Sequence, residues 1–415
     1  MSSAMAGTVV VDFSHVMAGP YASHLLRLLG AEVIKIESPG IGDAMRNYGA
    51  DRRYDGMSPA FIAVNAGKKS LVLNLKHPPA LAAVRRLIAR ADVVLENFRP
   101  GVMARFGLDY ESVRSLQPRM VYCSVSGYGQ QSPRRDWPAI DNIVQATSGM
   151  MSLSGEHGDD PMRVGFPVVD TLTGQTAAFA IVAALLRRER TGCGEHIDVA
   201  MFDAAIAFMA SAVVPYLVTG RSLERTGNVG YSGQPTSAVF TAADGRQISL
   251  GVVQQPQFET LARVLKCERW LGDPRFVTAD LRRHHSAEMR AELATVFAEK
   301  PAAVWERQLS DAGIPCGMVR ELSEAVGLDG LDERGIKIPL HVPGLPDKCD
   351  VGIVNAGFKF SQDSPHIDAP PPRHGEHSNA ILESLGFDAA EQREILAGNS
   401  KEPSNVRGNH EPAIP

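Results

Sequence analysis

The chain of 415 residues is poor in cysteine, and its five cysteines are scattered without a CxxC pair. We therefore predict neither a disulfide framework nor a zinc site, and we expect a reducing, cytoplasmic location. The net charge is −5 and no basic block stands out, which argues against a nucleic-acid partner. The longest apolar run, residues 177–186, is about half of a membrane span. The first residues lack the regions of a signal peptide, so no membrane partner is expected.

The common motifs of nucleotide, metal and serine-hydrolase chemistry are missing as well. The predicted first βα turn, residues 15–20, contains one glycine, Gly19, where a dinucleotide site needs G-x-G-x-x-G. An NAD-dependent oxidoreductase is thus a remote alternative, although Glu37 ends the second predicted strand, where a ribose-binding acid would be. Walker A, H-E-x-x-H and G-x-S-x-G motifs are absent too. We expect no metal and no tightly bound cofactor.

What the sequence does contain is a regular alternation of β-branched runs with helical patterns. Short apolar runs typical of buried strands occupy residues 8–13, 31–37, 70–75, 92–96, 120–125 and 197–200. Alternating strands and helices predict an α/β fold with a doubly wound parallel sheet. In such folds ligands bind at the carboxyl ends of the strands, so the loops that follow them are the candidate binding regions.

The composition changes along the chain and suggests two domains. Residues 1–224 form the N-terminal part of a large domain, and a glycine-rich stretch leads into a smaller α+β domain at 225–330. Residues 331–399 are predicted to cross back through a proline-rich segment and complete the large domain with two short helices. The polar residues 400–415 are predicted to be disordered.

Asp170 follows an apolar run, residues 164–169, and precedes a long apolar segment that ends in arginines and glycine. This pattern predicts an extended segment, a turn and a buried helix. Asp170 is then either the helix N-cap, for which aspartate is preferred, or a nucleophilic carboxylate placed at the start of the helix. The local sequence leaves both interpretations open.

Several strings together resemble the class III coenzyme A transferases, the formyl-CoA transferase/carnitine-CoA transferase family. They lie at residues 12–21, 29–43, 65–76, 92–101, 145–149, 192–201, 273–276 and 375–377. The resemblance covers residues 7–397. It implies a Rossmann-like large domain made from N- and C-terminal parts, a small α+β domain, and an interlinked dimer of two ring-shaped subunits.

The resemblance also implies the chemistry. The family's nucleophilic aspartate falls at Asp170, which would carry CoA from an acyl-CoA thioester to a free carboxylic acid through covalent aspartyl intermediates. Asp141 matches an acidic position that neighbours the nucleophile, and it is a candidate supporting acid. The implied partners are small molecules, an acyl-CoA and a carboxylic acid, together with a second copy of the chain.

By position in these motifs, a set of residues is predicted to contact CoA. The set comprises Val16, Met17, Ala18, Leu73, Lys76, Asn97, Phe98, Arg99 and Arg105. Lys76 and Arg105 have the charge that phosphates require, although exposed cations are often only solvated. Leu73 and Phe98 are equally compatible with the hydrophobic core. His15 is expected to be a structural loop residue.

Two departures from the family pattern bear on the substrate. Formate–oxalate members carry glutamine where Met17 stands and arginine where Ser38 stands, which makes a formyl or oxalyl donor less favoured here. Related α-methylacyl-CoA racemases place a histidine before the acid that aligns with Asp141, and here Ile140 occupies that position. Ile140 cannot carry a proton, so racemisation is the weaker alternative. A non-catalytic CoA-binding protein is a remote alternative.

Overall fold

The structure is a computed structural model that describes residues 3–49 and 51–400. Its strands are β1 Val9–Asp12, β2 Glu32–Glu37, β3 Lys69–Val72, β4 Val93–Glu96, β5 Val121–Ser126, β6 Glu195–Ala200, β7 Ser237–Thr241, β8 Gln247–Gly251, β9 Cys316–Met318, β10 Lys337–His341 and β11 Asp350–Val354. Its helices are α1 Ala18–Leu28, α2 Pro59–Asn65, α3 Pro78–Ile88, α4 Tyr110–Leu116, α5 Asp141–Thr147, α6 Val168–Thr191, α7 Met201–Phe208, α8 Ala210–Thr219, α9 Gln255–Val264, α10 Ala279–His284, α11 Ser286–Phe297, α12 Ala302–Asp311, α13 Leu322–Ala325, α14 Ser378–Ser384 and α15 Ala389–Ala397.

The described residues form two compact units. The first contains the described residues up to Met150, together with Val164–Val218 and those from Gly330 onward. The second contains Met151–Arg163 and Thr219–Asp329. The short stretch Met151–Arg163 thus belongs with the second unit, whereas the sequence placed it in the large domain. The tail predicted to be disordered lies, from residue 401 on, outside the described residues.

The first unit is built on a parallel sheet of six strands in the order β3-β2-β1-β4-β5-β6. This is a doubly wound order, so the prediction of a parallel α/β sheet is confirmed. Every residue of β5 is buried, as both faces of the sheet are covered by helices. The chain order reverses between β1 and β4, and that junction is where such sheets bind ligands.

Two apolar layers sandwich the sheet. On one face, α3 packs with the C-terminal helices through Val84, Leu87, Leu382 and Ile395. On the other face, α1 and α6 contribute residues such as Leu26 and Ile181. The predicted return of the chain to this sheet through two terminal helices is therefore observed. The proline-rich crossing before them also contains an antiparallel hairpin, β10–β11, that the sequence did not predict.

The second unit has its own antiparallel sheet, β7-β8-β9, which packs with helices α9, α11 and α12. Its strands β7 and β8 are antiparallel and are joined by a turn at Asp244 and Gly245. Trp270 and Trp305 are fully buried at the centre of its core. This unit therefore buries an apolar core independently of the parallel sheet.

Helix α6 is long and apolar enough to cross a membrane by length and composition alone. Half of its most apolar 18-residue segment is buried within the protein. Its Ala177, Ile181 and Ala184 belong to the apolar core that packs against the sheet. This is the behaviour of a core helix. The remainder of its apolar surface, including Phe179 and Leu186, is exposed.

Candidate active site

The loops that follow β1 and β4 meet at the reversal point of the sheet. Asn97, directly after β4, holds the backbone of His15 with both ends of its amide: His15 N donates to Oδ1 at 2.9 Å, and Nδ2 donates to the His15 carbonyl at 2.8 Å. The rings of His15 and Phe98 lie 5.2 Å apart. The structure thus brings together candidate residues from two separate motifs.

Val16, in the first of these loops, adopts a left-handed backbone with φ of 66°. A β-branched residue in this region is strained by about 1–3 kcal/mol. Its amide donates to Asp43 Oδ1 at 3.0 Å. Three residues later, a Cβ at Gly19 would collide with the side chain of Ser14, so only glycine fits there. The turn is therefore held in a fixed, strained shape.

A buried network of charges supports this turn from below. It consists of three cations and three anions, all less than 4% exposed: Lys35, Arg46, Lys68, Asp12, Glu37 and Asp43. Lys68 pairs with Asp12 at 3.2 Å, Lys35 with Asp43 at 2.8 Å, and Arg46 with Glu37 at 2.6 Å. Each buried charge has an opposite partner, which is the condition under which such groups remain ionised.

The network connects directly to the strained turn. Lys35 Nζ donates to the Ser14 carbonyl at 2.7 Å, and the Ser14 amide donates to Asp12 Oδ1 at 2.9 Å. Burial alone would raise the pKa of Asp12, but Lys68 and Lys35 hold it below its usual range. Burial would likewise raise the pKa of Glu37, but the Arg46 guanidinium lowers it to about 2. These carboxylates therefore stay charged at neutral pH.

The other residues predicted to contact CoA differ in how exposed their side chains are. Leu73 is 1% exposed and belongs to the hydrophobic core, so its side chain is not available at the surface. Lys76, Arg99 and Arg105 are exposed, and none of them pairs with a carboxylate among the described residues. Lys76 follows β3, two strands from β1, which is about 10 Å at ordinary strand spacing. Contact of these residues with CoA stays a prediction.

Met17 and Ala18 lie at the start of α1, and a glycine brings them against α6. A Cβ on Gly174 would lie 2.7 Å from the Ala18 carbonyl oxygen and 2.9 Å from Tyr21 Cδ1. The absence of a side chain at Gly174 therefore permits the close approach of the two helices. Gly174 is one helical turn after Asp170, so the strained turn and Asp170 lie at the same end of the α1–α6 pair.

Asp170 is the third residue of α6, not its N-cap. The residue at the N-cap is Pro167, which has no side-chain acceptor. The acceptor comes from Asp141 instead: its Oδ2 accepts from the Val169 amide at 2.7 Å and from the Asp170 amide at 3.0 Å. The interpretation of Asp170 as a helix cap is wrong, because a carboxylate from another helix satisfies the first-turn amides.

Gln145, one turn along α5 from Asp141, completes this junction. Its Nε2 donates to Asp141 Oδ1 at 2.6 Å, and its Oε1 accepts from the Val164 amide at 2.8 Å. Gln145 is fully buried. The sequence analysis used this residue only as part of a family string. Its partner Val164 lies 19 residues later in the chain, so this contact leaves no local signal in the sequence.

The carboxylate of Asp170 is half-buried and receives no hydrogen bond from any described residue. Burial first, and then the negative charge of Asp141, raise the pKa of Asp170 to about 7. An acid with this pKa is ionised in part at neutral pH, and its anion is poorly solvated. Such a carboxylate has the properties of a nucleophile or a base.

Comparisons with known proteins identify the family. The family model of CoA-transferase family III matches residues 5–378. The chain is 37% identical to a succinate–glutarate CoA-transferase of Agrobacterium fabrum, over 92% of this chain and 95% of the relative. It is 38% identical to an acetyl-CoA:oxalate CoA-transferase of Acetobacter aceti, over 92% and 96%.

A solved structure shares the fold as well. A CaiB/BaiF family protein from Brucella suis superposes with a TM-score of 0.83 at 31% identity, covering 93% of this chain and 100% of that one. The chain therefore belongs to CoA-transferase family III, and the resemblance drawn from its motifs is confirmed. It is an enzyme of the CoA-transferase class.

Proposed function

We propose that the protein transfers CoA from an acyl-CoA thioester to a free carboxylic acid, with Asp170 as the covalent carrier. The observation that carries this proposal is the unpaired Asp170 carboxylate at the start of α6, beside the strained turn at the reversal point of the sheet. The buried carboxylates of Asp12, Glu37 and Asp43 each pair with a cation, and Glu96 accepts a hydrogen bond from the Phe98 amide at 2.9 Å. The Asp170 carboxylate has neither kind of partner among the described residues. Covalent catalysis requires such a group.

The proposed steps balance without a metal or redox cofactor. An oxygen of Asp170 attacks the thioester carbonyl, the C–S bond breaks, and CoA leaves as thiolate from a mixed anhydride. The thiolate then attacks the aspartyl carbonyl and displaces the donor acid, which leaves an aspartyl-CoA thioester. The acceptor carboxylate attacks that thioester, and the released thiolate takes the acceptor's acyl group. The Asp170 carboxylate is regenerated.

Asp141 positions the nucleophile in this proposal. By accepting from the Val169 and Asp170 amides, it fixes the first turn of α6. Its charge also keeps the pKa of Asp170 high, although burial is the larger cause. Because these two amides are already engaged by Asp141, donors for the oxyanion of the thioester must come from other groups.

The CoA moiety is proposed to lie along the carboxyl ends of β1, β3 and β4. Residues 16–18 would line it through their backbone and side chains, together with Asn97 and Phe98. The exposed cations Lys76, Arg99 and Arg105 lack carboxylate partners among the described residues, and the phosphates of CoA suit them. Leu73 can contribute only its backbone, because its side chain is in the core.

The donor is proposed to be an acyl-CoA and the acceptor a free carboxylic acid, both of them small molecules. Named relatives act on succinate and glutarate, or on acetyl-CoA and oxalate. We propose to screen free acids for CoA exchange against acetyl-CoA and succinyl-CoA. Racemisation is not favoured, because Ile140 is an exposed hydrocarbon at the position that a proton-transferring histidine would need.

Trapping the carrier tests the mechanism. Incubation with a productive acyl-CoA, followed by hydroxylamine or borohydride and peptide mass spectrometry, is expected to modify Asp170. Modification confined to another residue, or none during confirmed turnover, would contradict the proposal. Asp203 occupies the first turn of α7 and is exposed, so it is an internal reference that should stay unmodified.

We also propose that two copies form the interlinked dimer implied by the family resemblance. The support is a large exposed apolar surface on consecutive helices of the first unit. Its most exposed members are Phe179 and Leu186 of α6, Phe208 of α7, and Leu217 and Val218 of α8. Apolar patches of this kind mark interaction surfaces. Light scattering at micromolar concentration should give a mass near twice the 44.7 kDa of one chain.

A further inference from the structure

A cavity of about 540 Å³ lies within the first unit, between α1, α2 and the β10–β11 hairpin. One face of α1 forms its floor, with residues such as Met17, Tyr21, Leu25 and Leu28 spaced by three or four positions. A volume of this size is within the range of small-molecule sites.

The cavity begins at the candidate active site. Met17 is part of the turn proposed to hold CoA, and it lines the cavity. Tyr21 lines it as well, and Tyr21 packs against Gly174, one turn after Asp170. Tyr21 is also hydrogen-bonded to Gln175 of α6. The cavity therefore extends from the start of the α1–α6 pair towards the end of α1.

The walls of the cavity are mainly hydrocarbon. Ile62 of α2 and Ile353 of β11 line it and belong to one apolar cluster, against which Leu345 packs. Asp347 at its edge is already engaged by Arg53 and by the hydroxyl of Tyr54. An apolar enclosure of this kind binds hydrocarbon, at roughly 0.8 kcal/mol for each buried methylene.

One buried polar atom in the lining lacks a partner. His24 is 1% exposed and its Nδ1 has no hydrogen bond among the described residues. Burial lowers the pKa of His24 to about 3, and the ring also hydrogen-bonds the backbone of Val354. The imidazole is therefore neutral at physiological pH. A hydroxyl or amide N–H on a bound ligand would satisfy Nδ1.

We propose that this cavity receives the acyl group of the CoA thioester and selects an extended, mainly apolar acyl chain. The proposal rests on the proposed function, since it assigns a substrate class to the same site. The position of the cavity next to the CoA turn and to α6 would place a chain in it while the thioester remains near Asp170. It predicts a preference for medium-chain acyl groups over acetyl or oxalyl groups.

The test compares acyl-CoA donors of increasing length, from acetyl-CoA to octanoyl-CoA, with one acceptor acid. The wild-type kcat/KM is expected to rise about fourfold for each added methylene until the cavity is filled. A flat or falling series would overturn the proposal.

Two substitutions fill the cavity from different walls. Ala63→Trp adds volume at an exposed position of α2, and Gly352→Leu adds a side chain on β11 where a Cβ would meet only the Ile338 carbonyl at 4.0 Å. Each should lower the ratio of octanoyl-CoA to acetyl-CoA kcat/KM at least tenfold. The matched control is Gly272→Leu in the second unit, where a Cβ meets nothing within 4 Å, and it should leave the ratio unchanged.

A binding measurement separates this proposal from the proposed function. Calorimetry on Asp170→Asn should show that octanoyl-CoA binds at least tenfold more tightly than free CoA. Adding Ala63→Trp to this variant should make the two affinities equal. This result would support the cavity even if no transfer were detected. Equal affinities would overturn it even if aspartyl trapping succeeded. Dissociation of the oligomer by both filling variants would assign the cavity to a subunit contact and also overturn the proposal.

Discussion

The first unit contains carboxylates that are paired with cations, and it also contains Asp170, whose carboxylate is not. Asp12, Glu37 and Asp43 each face a cation, and the pKa values of Asp12 and Glu37 are lowered. Asp170 faces another carboxylate, Asp141, receives no hydrogen bond from the described residues, and has its pKa raised to about 7. Both arrangements lie at the same end of the parallel sheet. The paired set holds a backbone in shape, whereas the unpaired acid is available for chemistry.

The presence or absence of a cation partner distinguishes the structural carboxylates from the candidate catalytic one, and no bound ligand is needed to make the distinction. Asp170 is half-buried, whereas the paired carboxylates are almost fully buried, so the degree of burial does not mark the site. What distinguishes Asp170 is the absence of compensation, because a charge left without partners costs folding free energy. Such a cost persists at sites where reactivity depends on it. The predictions below test each side of this contrast.

The largest expected effect is the loss of transfer in Asp170→Asn. The amide cannot act as the nucleophile, so kcat should fall by a factor on the order of 10³ or more. The rate of CoA exchange between acyl-CoA and free acid measures this. Asp203→Asn changes the same residue type in the first turn of another helix, and it should keep wild-type activity. Comparable rates for Asp170→Asn and wild type would remove Asp170 from the mechanism.

Substitution of a carboxylate that is paired with a cation should instead lower the stability of the protein. Asp12→Asn leaves Lys68 buried without its counter-charge, and the free energy of unfolding should fall by about 3–5 kcal/mol. Urea unfolding followed by circular dichroism gives this value. Asp51→Asn breaks a solvent-exposed pair with Arg53 and should change stability far less, because water and salt screen exposed ion pairs. Equal effects of the two substitutions would mean that the buried network is not what holds the turn.

The raised pKa of Asp170 should be visible in the pH dependence of the reaction rate. Only the ionised form of Asp170 attacks, so the single-turnover rate should rise with pH through about 7 and level off above it. Asp141→Asn keeps an oxygen acceptor for the α6 amides but removes the charge. The acidic limb should then move to lower pH. A limb that stays in place would show that Asp141 acts only on the backbone.

The sequence predicted most of the parallel sheet because each buried strand is a continuous apolar run between turn residues. It missed the β10–β11 hairpin, since Pro339 is unusual within a strand and is tolerated here only because the hairpin has two strands. The N-cap interpretation of Asp170 failed for a related reason. Helix propensity is local, whereas the true acceptor, Asp141, lies 29 residues earlier in the chain.

The buried charges were equally hard to predict. Lys35 lies within an apolar strand and would ordinarily point to solvent, but helices cover both faces of the sheet and bury it. Its partner Asp43 is in a glycine-rich loop that reads as exposed. Only the fold places these two groups 2.8 Å apart. Motif resemblance identified Asp170 and Asp141 by position, and their mutual geometry came from the structure alone.

The smallest expected effect is a gain in stability from the same Asp170→Asn substitution. The pKa of Asp170 is raised from 3.8 to about 7 on folding, so the free energy of unfolding of the protein falls as pH rises between these values. Above pH 7 the full destabilisation remains. The full shift corresponds to about 4 kcal/mol, and solvent screening of the half-buried carboxylate reduces it. Replacing Asp170 with asparagine should therefore stabilise the protein at pH 8 by on the order of 1 kcal/mol. The gain should shrink as pH falls towards 4. Urea unfolding at both pH values measures it, and a destabilised variant at pH 8 would show that the Asp170 carboxylate has a stabilising partner after all.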